Sequence, residues 1–203
     1  MIVLGIDPGT AVTGFGVVSD ILDSPVAPSA AARVFVGAGR MRLVACGVVR
    51  TRPRDPLPSR LREIHAGVAG LIARYCPDVL AVEDVFYSRN VRTTLALGHA
   101  RGVVLLAGAE AGLLVREFAP AEIKKAVVGR GAATKEQVQF MLTRLLRLRA
   151  APQPADAADG VAAAVTCLLT SHLTRLTDGL EHGVAHPRSA PIGGAAGLRK
   201  SVL

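Results

Sequence analysis

The sequence predicts an α/β protein: a single domain in which a mixed β-sheet is flanked by helices. Half of the 203 residues are hydrophobic, which is enough for one domain with its own core. Short apolar runs follow one another at the start of the chain and then alternate with segments of helical periodicity. That order of elements is typical of a mixed sheet covered by helices.

Five segments are predicted as strands, because each is a short apolar or alternating run bounded by turn residues. The first stops at the turn sequence Asp7-Pro8-Gly9-Thr10, and the second contains two glycines that allow close backbone approach. The predicted strands are residues 2–6, 14–19, 41–50, 79–82 and 115–118.

Five helices are predicted as well. Residues 57–75 repeat apolar positions at helical spacing, and residues 90–113 have a face of small residues. Pro120 fits the first position of a short helix, and Thr134-Lys135-Glu136-Gln137 is a capping box that opens the next one. The predicted helices are residues 57–75, 90–113, 120–128, 134–148 and 156–176.

These elements define one domain over residues 1–177. Residues 20–40 change character, with prolines, glycines and a run of alanines, and are interpreted as an elongated hairpin tip or inserted loop. After Asp178 the chain is rich in Gly, Pro, Ala and Arg with little periodicity. We therefore expect residues 178–203 to be a disordered tail.

Charge and cysteine content narrow the functional classes. Lys and Arg number 24 against 16 Asp and Glu, a net charge of +8 that favours a polyanionic partner or an anionic membrane surface. The three cysteines are far apart, which argues against a disulfide framework and a zinc finger. There is no basic segment of a signal peptide and no apolar run of the ~18 residues of a membrane span. We expect a cytoplasmic protein with no membrane partner.

Four acidic residues are placed in the predicted elements so that they could belong to one site. Asp7 and Glu83 end two of the predicted strands, at the edge where open α/β sheets form their sites. Asp156 and Asp159 share one face of the first turn of the last helix. Such a cluster is repulsive alone, and its hard oxygen ligands suit Mg²⁺ or Mn²⁺. Two such ions, about 3.5–4 Å apart, hold the attacking water and the leaving oxygen in phosphodiester hydrolysis.

Each acid also has a purely structural interpretation. Asp156 and Asp159 are what a helix N-terminus prefers, Glu83 is compatible with an exposed strand end, and Asp7 with a plain turn. The metal-site hypothesis depends on the conjunction of three separate segments that place acids toward one pocket.

Six motifs of the sequence resemble those of a known family. The motifs are Gly5-Ile6-Asp7-Pro8-Gly9-Thr10, Ala81-Val82-Glu83-Asp84-Val85-Phe86, Leu97-Gly98-His99-Ala100-Arg101-Gly102, Ile123-Lys124-Lys125-Ala126-Val127-Val128-Gly129, Lys135-Glu136-Gln137-Val138-Gln139 and Asp156-Ala157-Ala158-Asp159. Together, in family order over about residues 1–175, they resemble the RuvC family of Holliday-junction resolvases.

The resemblance implies a ribonuclease H-like nuclease domain over residues 1–177, acting as a homodimer in DNA recombination and repair. It implies a hydrolase that nicks two strands of like polarity at a four-way DNA junction and needs two Mg²⁺ or Mn²⁺ ions per active site. It also implies coupling to the RuvA/RuvB branch-migration complex, which no residue of this sequence shows. The family's catalytic and metal-binding acids map onto Asp7, Glu83, Asp156 and Asp159.

The resemblance extends to residues that would meet DNA. Lys124 and Lys135 resemble the family's phosphate-contacting lysines, and Arg89 follows Glu83 on a loop that could reach the scissile phosphate. Phe86 resembles the aromatic residue that wedges into the junction. For Tyr87, a contact with DNA and a position in the core are equally compatible with the sequence. For the three bases, the alternative is an ordinary solvated surface charge.

The sequence departs from the family pattern in places. Residues 20–40 are longer than the usual first hairpin, and the tail has no clear counterpart. Gly160 stands where the family commonly has Ala, and Cys167 where a His often follows Thr. Relatives are known to use His in place of Asp156.

Other functional classes stay open at this stage. The Gly5–Thr10 motif also resembles the first phosphate loop of actin-like and sugar-kinase ATP-binding proteins, although this chain has room for only one of their two lobes. A junction-binding module without catalytic activity and a nuclease that cuts RNA in a hybrid are the further alternatives. The small-residue face of 90–113 suits a twin helix across a two-fold axis or the chain's own sheet.

Overall fold

The computed structural model describes residues 1–20, 41–84 and 91–181, with side chains up to residue 171. The strands are β1 (Ile2–Asp7), β2 (Val12–Asp20), β3 (Met41–Arg50), β4 (Val79–Glu83) and β5 (Leu114–Phe118). The helices are α1 (Leu57–Tyr75), α2 (Val91–Glu110), α3 (Pro120–Val128), α4 (Lys135–Leu145) and α5 (Ala155–Glu181). None of the helices in these ranges is long and apolar enough to cross a membrane.

The strands form one mixed sheet in the order β3-β2-β1-β4-β5. The first three strands pair antiparallel, whereas β4 runs parallel to both β1 and β5. The prediction of an α/β fold with a mixed sheet is therefore confirmed. The change from antiparallel to parallel pairing falls at β1, which has a neighbour of each kind.

The central strands send alternate side chains into two cores. Val3 of β1 and Ala81 of β4 pack on one face of the sheet, and Leu4 and Leu80 pack on the other. Helices α3, α4 and α5 cover the first face, and α1 and α2 cover the second. Because both faces are covered, β1 and β4 are almost continuously apolar in sequence.

Helix α5 lies very close to β1 and β2, and glycines on both sides make this possible. A Cβ atom added to Gly5 would lie 2.1 Å from the carbonyl oxygen of Gly160, and one added to Gly14 would lie 1.9 Å from that of Asp156. In return, a Cβ atom at Gly160 would lie 2.6 Å from the Cα atom of Phe15. Any side chain at these positions would push α5 away from the sheet.

The predicted elements are found, with shifts at their ends. Strand β2 begins at Val12 because it stays paired with β3 as far as Arg50. Helix α5 continues to Glu181, so it enters the segment predicted as a tail. Of the predicted insertion only Asp20 is described, as the last residue of β2, and from residue 182 onward the predicted tail lies outside the described residues. The domain boundaries stay predictions.

The substitution Gly160→Ala should lower the free energy of unfolding by about 1–3 kcal/mol, because the new Cβ atom meets backbone atoms of Phe15. The matched control is Gly70→Ala in α1, where an added Cβ atom meets nothing within 4 Å. There the gain in helix propensity should raise stability by about 0.5–1 kcal/mol. Urea denaturation measures both, and equal stabilisation of the two variants would contradict the close packing of α5.

Candidate active site

Parallel pairing of β1 and β4 brings two acids side by side. Ile6 lies opposite Val82 in the register, so Asp7 and Glu83, the next residue of each strand, leave the sheet at the same edge. Both acids are half-buried. This is the carboxyl edge of the parallel strands, where open α/β sheets form their ligand sites.

A cavity of about 230 Å³ opens at this edge. Helix α5 contributes Asp159 to its wall, because the glycine contacts seat the start of α5 against β1 and β2. Helices α3 and α4 contribute one lysine each. The lining residues are Asp7, Glu83, Pro120, Ile123, Lys124, Lys135, Val138, Asp159 and Ala162. Three of the four predicted acids and both predicted lysines therefore share one cavity.

Lys135 forms the one direct bond between these charged groups that the described part of the chain contains. Its Nζ atom donates a hydrogen bond to Oδ2 of Asp159 at 2.7 Å. The position of Lys135 follows from the start of α4, where the predicted capping box is confirmed: Thr134 Oγ1 accepts from the Gln137 N–H and Gln137 Oε1 from the Thr134 N–H. The hydrogen bond to Asp159 raises the pKa of the Lys135 ammonium, so this group is a cation throughout the physiological range.

The cavity holds more negative charge than its lysines neutralise. Burial, reinforced by the negative charges of Asp159 and Asp156, raises the pKa of Asp7 to about 7 even though Lys135 opposes the shift. Burial and the charges of Asp7 and Asp159 raise the pKa of Glu83 to about 8, against the opposing effect of Lys135 and Lys124. Two carboxyl groups thus have pKa values near neutrality because they are buried beside other acids and the two lysines only partly offset both effects.

The donor set fits divalent metal ions. Within the described ranges, no three His, Cys, Asp or Glu side chains are grouped so as to hold an ion as they stand, and Lys135 holds one oxygen of Asp159. The acids nevertheless offer hard carboxylate oxygens, which are the ligands that Mg²⁺ and Mn²⁺ prefer. Their neighbouring negative charges, which raise the pKa values of Asp7 and Glu83, also favour a bound cation. The assignment of particular ligands stays a prediction.

Asp156 lies at the margin of the site. It is half-buried at the first turn of α5 and does not belong to the cavity lining. Its charge raises the pKa of Asp7, so the two carboxyl groups are close enough to interact. The other predicted contacts, Phe86, Arg89 and the undecided Tyr87, lie outside the described residues.

Arg101 of α2 is a residue near the site to which the sequence analysis gave no role. Its Nη2 atom lies 3.3 Å from Oδ1 of Asp84, the residue after Glu83, and it also pairs with Glu117 at the end of β5. The Asp84 N–H donates to the Phe118 carbonyl oxygen at 2.8 Å. These contacts tie the ends of β4 and β5 together beside the cavity. The only signal in the sequence is that Arg101 lies within a family motif.

The mixed sheet, its helices on both faces and the acids at the ends of β1 and β4 define a protein with a ribonuclease H-like fold and a site suited to nucleic-acid hydrolysis. The family model for the crossover junction endodeoxyribonuclease RuvC matches residues 3–167. The chain belongs to the RuvC family.

Relatives and solved structures agree with this assignment. The chain is 44% identical over 165 residues to the crossover junction endodeoxyribonuclease RuvC of Desulforamulus reducens, covering 81% of this chain and 91% of the relative. It is 44% identical over 179 residues to that of Proteus mirabilis, covering 87% and 92%. The Thermus thermophilus RuvC structure has a TM-score of 0.73 at 34% identity, covering 86% of this chain and 97% of that one.

A second Thermus thermophilus RuvC structure contains a Holliday junction substrate. It is similar to this chain with a TM-score of 0.72 at 34% identity, and the match covers 85% of this chain and 96% of the other. The prediction that the sequence is a member of the RuvC family is confirmed.

The free energy of unfolding of the metal-free protein should fall from pH 5 to pH 8. Asp7 and Glu83 have pKa values of about 7 and about 8 in the folded protein, against about 4 in an unfolded chain. Over this interval the folded protein binds more protons than the unfolded chain, so a rise in pH favours unfolding. We expect a loss of up to about 6 kcal/mol, the larger part of it from Glu83, measured by urea denaturation with a chelator present.

Two variants and one addition control this measurement. Asp7→Asn removes one titrating acid and should flatten the profile, whereas Glu63→Gln on the exposed side of α1 should leave it unchanged. Millimolar Mg²⁺ should restore stability at pH 8, because an ion bound only by the folded protein stabilises it. If the free energy of unfolding of the metal-free protein instead rises with pH, Asp7 and Glu83 do not have raised pKa values in the folded protein.

Proposed function

We propose that this chain resolves Holliday junctions, as a structure-selective endonuclease that makes paired, symmetric nicks during homologous recombination and DNA repair. The proposal stands on family membership over residues 3–167 and on one observation in the structure. That observation is the cavity in which Asp7, Glu83 and Asp159 meet Lys124 and Lys135. In such a cavity the carboxylates can bind cations while the lysines bind a phosphate group.

Within this function, Asp7, Glu83, Asp156 and Asp159 hold two divalent cations, Mg²⁺ or Mn²⁺. Such ions supply an activated water and positive charge at the leaving oxygen. Asp7 and Glu83 are the central pair, since burial and the neighbouring acids raise their pKa values, and bound cations would favour their ionised forms. Asp156, outside the cavity lining, completes the set at its edge.

Lys124 and Lys135 hold the phosphate. Both line the cavity, and the Nζ atom of Lys135 already binds a carboxylate oxygen of Asp159. A phosphate oxygen is an equivalent acceptor, so Lys135 would bind the DNA in place of Asp159 if Asp159 held a cation. Phe86 and Arg89 act from the loop after β4, at the branch point and at the scissile phosphate; their roles rest on the family resemblance alone.

The alternative functions have less support. The comparisons favour junction resolution over an ATP-binding lobe and over a junction-binding module without activity. The Gly9 N–H, which a phosphate loop would offer to a ligand, instead donates to Oγ1 of Thr13 at 3.4 Å. The experiment below distinguishes cleavage of RNA in a hybrid from cleavage of a junction, because it tests both substrates.

We also propose that the chain works as a homodimer through α2. Val91, Leu95 and Leu106 share one face of α2 and are 69%, 59% and 50% exposed. Gly98 and Gly102 lie on the same face, and a Cβ atom at either would meet nothing within 4 Å. A stripe of exposed apolar side chains around two glycines suits close packing against a second copy. A cytoplasmic location and coupling to RuvA/RuvB are further proposals, which rest on the family alone.

Asp7→Asn should reduce junction cleavage by more than about a hundredfold, because the variant lacks one cation ligand at the reacting phosphate. Junction binding measured in EDTA should change little. The substrate is a synthetic immobile four-way junction incubated with Mg²⁺ or Mn²⁺, with nicks mapped on each strand; linear duplex and an RNA–DNA hybrid are run beside it. Asp55→Asn, in the turn before α1, is the matched control and should cleave like the parent.

The outcomes separate the functions. Symmetric nicks in strands of like polarity support junction resolution, and cleavage confined to the hybrid supports the ribonuclease alternative. Full cleavage by the Asp7→Asn variant would contradict the metal site, and binding without any cleavage by the parent would favour the inactive module.

Leu95→Glu should convert the protein from dimer to monomer, because a buried carboxylate at the two-fold contact lacks a partner. The control is Phe140→Glu on α4, since Phe140 is 58% exposed and Leu95 59% exposed. Light scattering after size-exclusion chromatography without DNA gives the mass of each variant. A parent that is monomeric at micromolar concentration, or a Leu95→Glu variant that stays dimeric, would contradict the proposed interface.

A further inference from the structure

The end of α4 and the turn after it carry arginines that the active site does not use. Arg144, Arg147 and Arg149 line a surface depression of about 460 Å³ together with Phe140, Thr143 and Leu148. No carboxylate of the described chain belongs to this lining. We refer to Phe140 and the three arginines as the α4 surface.

An exposed aromatic ring belongs to this surface. Phe140 is 58% exposed, and the guanidinium carbon of Arg144 lies 5.3 Å from its ring centroid. The two residues are four apart on α4, so they lie on one face of the helix. Stacking restrains the guanidinium, so it gives up less side-chain freedom when it binds a ligand.

Arg147 occupies a backbone position that favours glycine. Its φ is 53°, in the left-handed region, directly after the C-cap residue Leu146. The Leu148 N–H donates to the Thr143 carbonyl oxygen at 2.9 Å, and the Arg147 N–H donates to that of Arg144 at 3.3 Å. This is the Schellman arrangement, in which glycine is usual because it has no Cβ atom to strain. The chain has an arginine there in spite of the strain.

Local stabilisation does not account for the cluster. The dipole of α4 favours a cation in its last turn, which explains Arg144, but the effect fades beyond that turn. Salt bridges formed among the described residues involve none of the three arginines. Cations gathered without counter-charges repel one another, so the arrangement favours an anionic partner.

The α4 surface is separate from the active site. Lys135 and Arg144 are nine residues apart on α4, which is about two and a half turns, so they point to opposite sides of the helix. They are also separated by about 13 Å along the helix axis. Val138, on the side of Lys135, lines the catalytic cavity, whereas Phe140 and Arg144 line the other depression.

We propose that the α4 surface binds the sugar-phosphate backbone of a junction arm, at a position separate from the cut. This inference rests on the proposed function, which supplies the DNA. Guanidinium groups bind phosphate oxygens in pairs, and the exposed ring of Phe140 offers an apolar face to a deoxyribose or a base. The surface therefore holds the arm of the substrate while the cavity holds the scissile phosphate.

The test measures junction binding in EDTA as a function of KCl concentration. The triple variant R144Q/R147Q/R149Q should raise Kd about tenfold near 0.1 M salt and reduce the slope of log K against log[salt] by about 2–3, because each phosphate that an arginine neutralises adds about 0.9 to that slope. Arg144→Gln alone should reduce the slope by about 0.9. Its matched control is Arg74→Gln, which removes an arginine stacked on Tyr75 at 5.2 Å near the end of α1 and should leave the slope unchanged.

A second variant separates binding from folding. Arg147→Gly places the preferred residue at the left-handed position, so it should raise Tm by about 2 °C. It should nevertheless weaken junction binding and reduce the salt slope by about 0.9, because glycine cannot neutralise the phosphate that Arg147 binds. A variant that is more stable and binds DNA less well cannot owe its weaker binding to misfolding.

Three outcomes would overturn the inference. One is a triple variant with the Kd and salt slope of the parent. Another is an effect of Arg74→Gln as large as that of Arg144→Gln, which would mean that net charge alone matters. The third is an Arg147→Gly variant that binds junctions as tightly as the parent. If the parent itself neither binds nor cuts junctions, the proposed function fails, and the α4 surface fails with it as a binding site for a junction arm.

Discussion

The close approach of α5 to β1 and β2 is the constraint on which the rest of the structure depends. With no Cβ atom at Gly5 or Gly160, the helix backbone comes into contact with the strand backbone. The first turns of α5 thereby reach the carboxyl edge of the sheet, where β1 and β4 end. Asp159 joins Asp7 and Glu83 in one cavity for this reason. In this chain, a Cβ atom at Gly5 or Gly160 would meet backbone atoms across the contact, so α5 or the facing strand would have to shift.

The same packing has an electrostatic cost. Two unit charges 4 Å apart repel by ~4 kcal/mol at an effective dielectric constant of 20, and burial adds to the cost of each charge. Lys135 offsets part of the cost through its hydrogen bond to Asp159, yet the pKa values of Asp7 and Glu83 stay near 7 and 8. The fold thus holds these acids where burial and neighbouring charges disfavour their ionised forms near neutral pH, and additional cations would favour those forms. Local instability of this kind is typical of functional sites.

Much of this could be predicted from the sequence, because strands and helices follow from local patterns. The apolar runs before Asp7 and Glu83 place both acids at strand ends, and the capping box at Thr134 places Lys135 at a helix start. The bridge from Arg101 to β4 and β5 could not be predicted, since it depends on which elements meet in space. The position of Asp156 outside the cavity lining could not be predicted either. It depends on the direction of its side chain and on the distance between α5 and the sheet, which the glycines set.

The distribution of charge also indicates how binding and cutting are divided. The chain carries a net charge of +8, but three of its acids meet in the cavity, while three arginines line the α4 surface, whose lining includes no carboxylate of the described residues. A polyanion is attracted to the basic surface at long range and repelled by ionised carboxylates at the cavity itself. Lys124 and Lys135 do not cancel that repulsion, since beyond the effect of burial the neighbouring acids still raise the pKa values of Asp7 and Glu83. Under the proposed function, DNA would therefore bind without divalent cations, whereas a phosphate would enter among the acids only when cations are bound there.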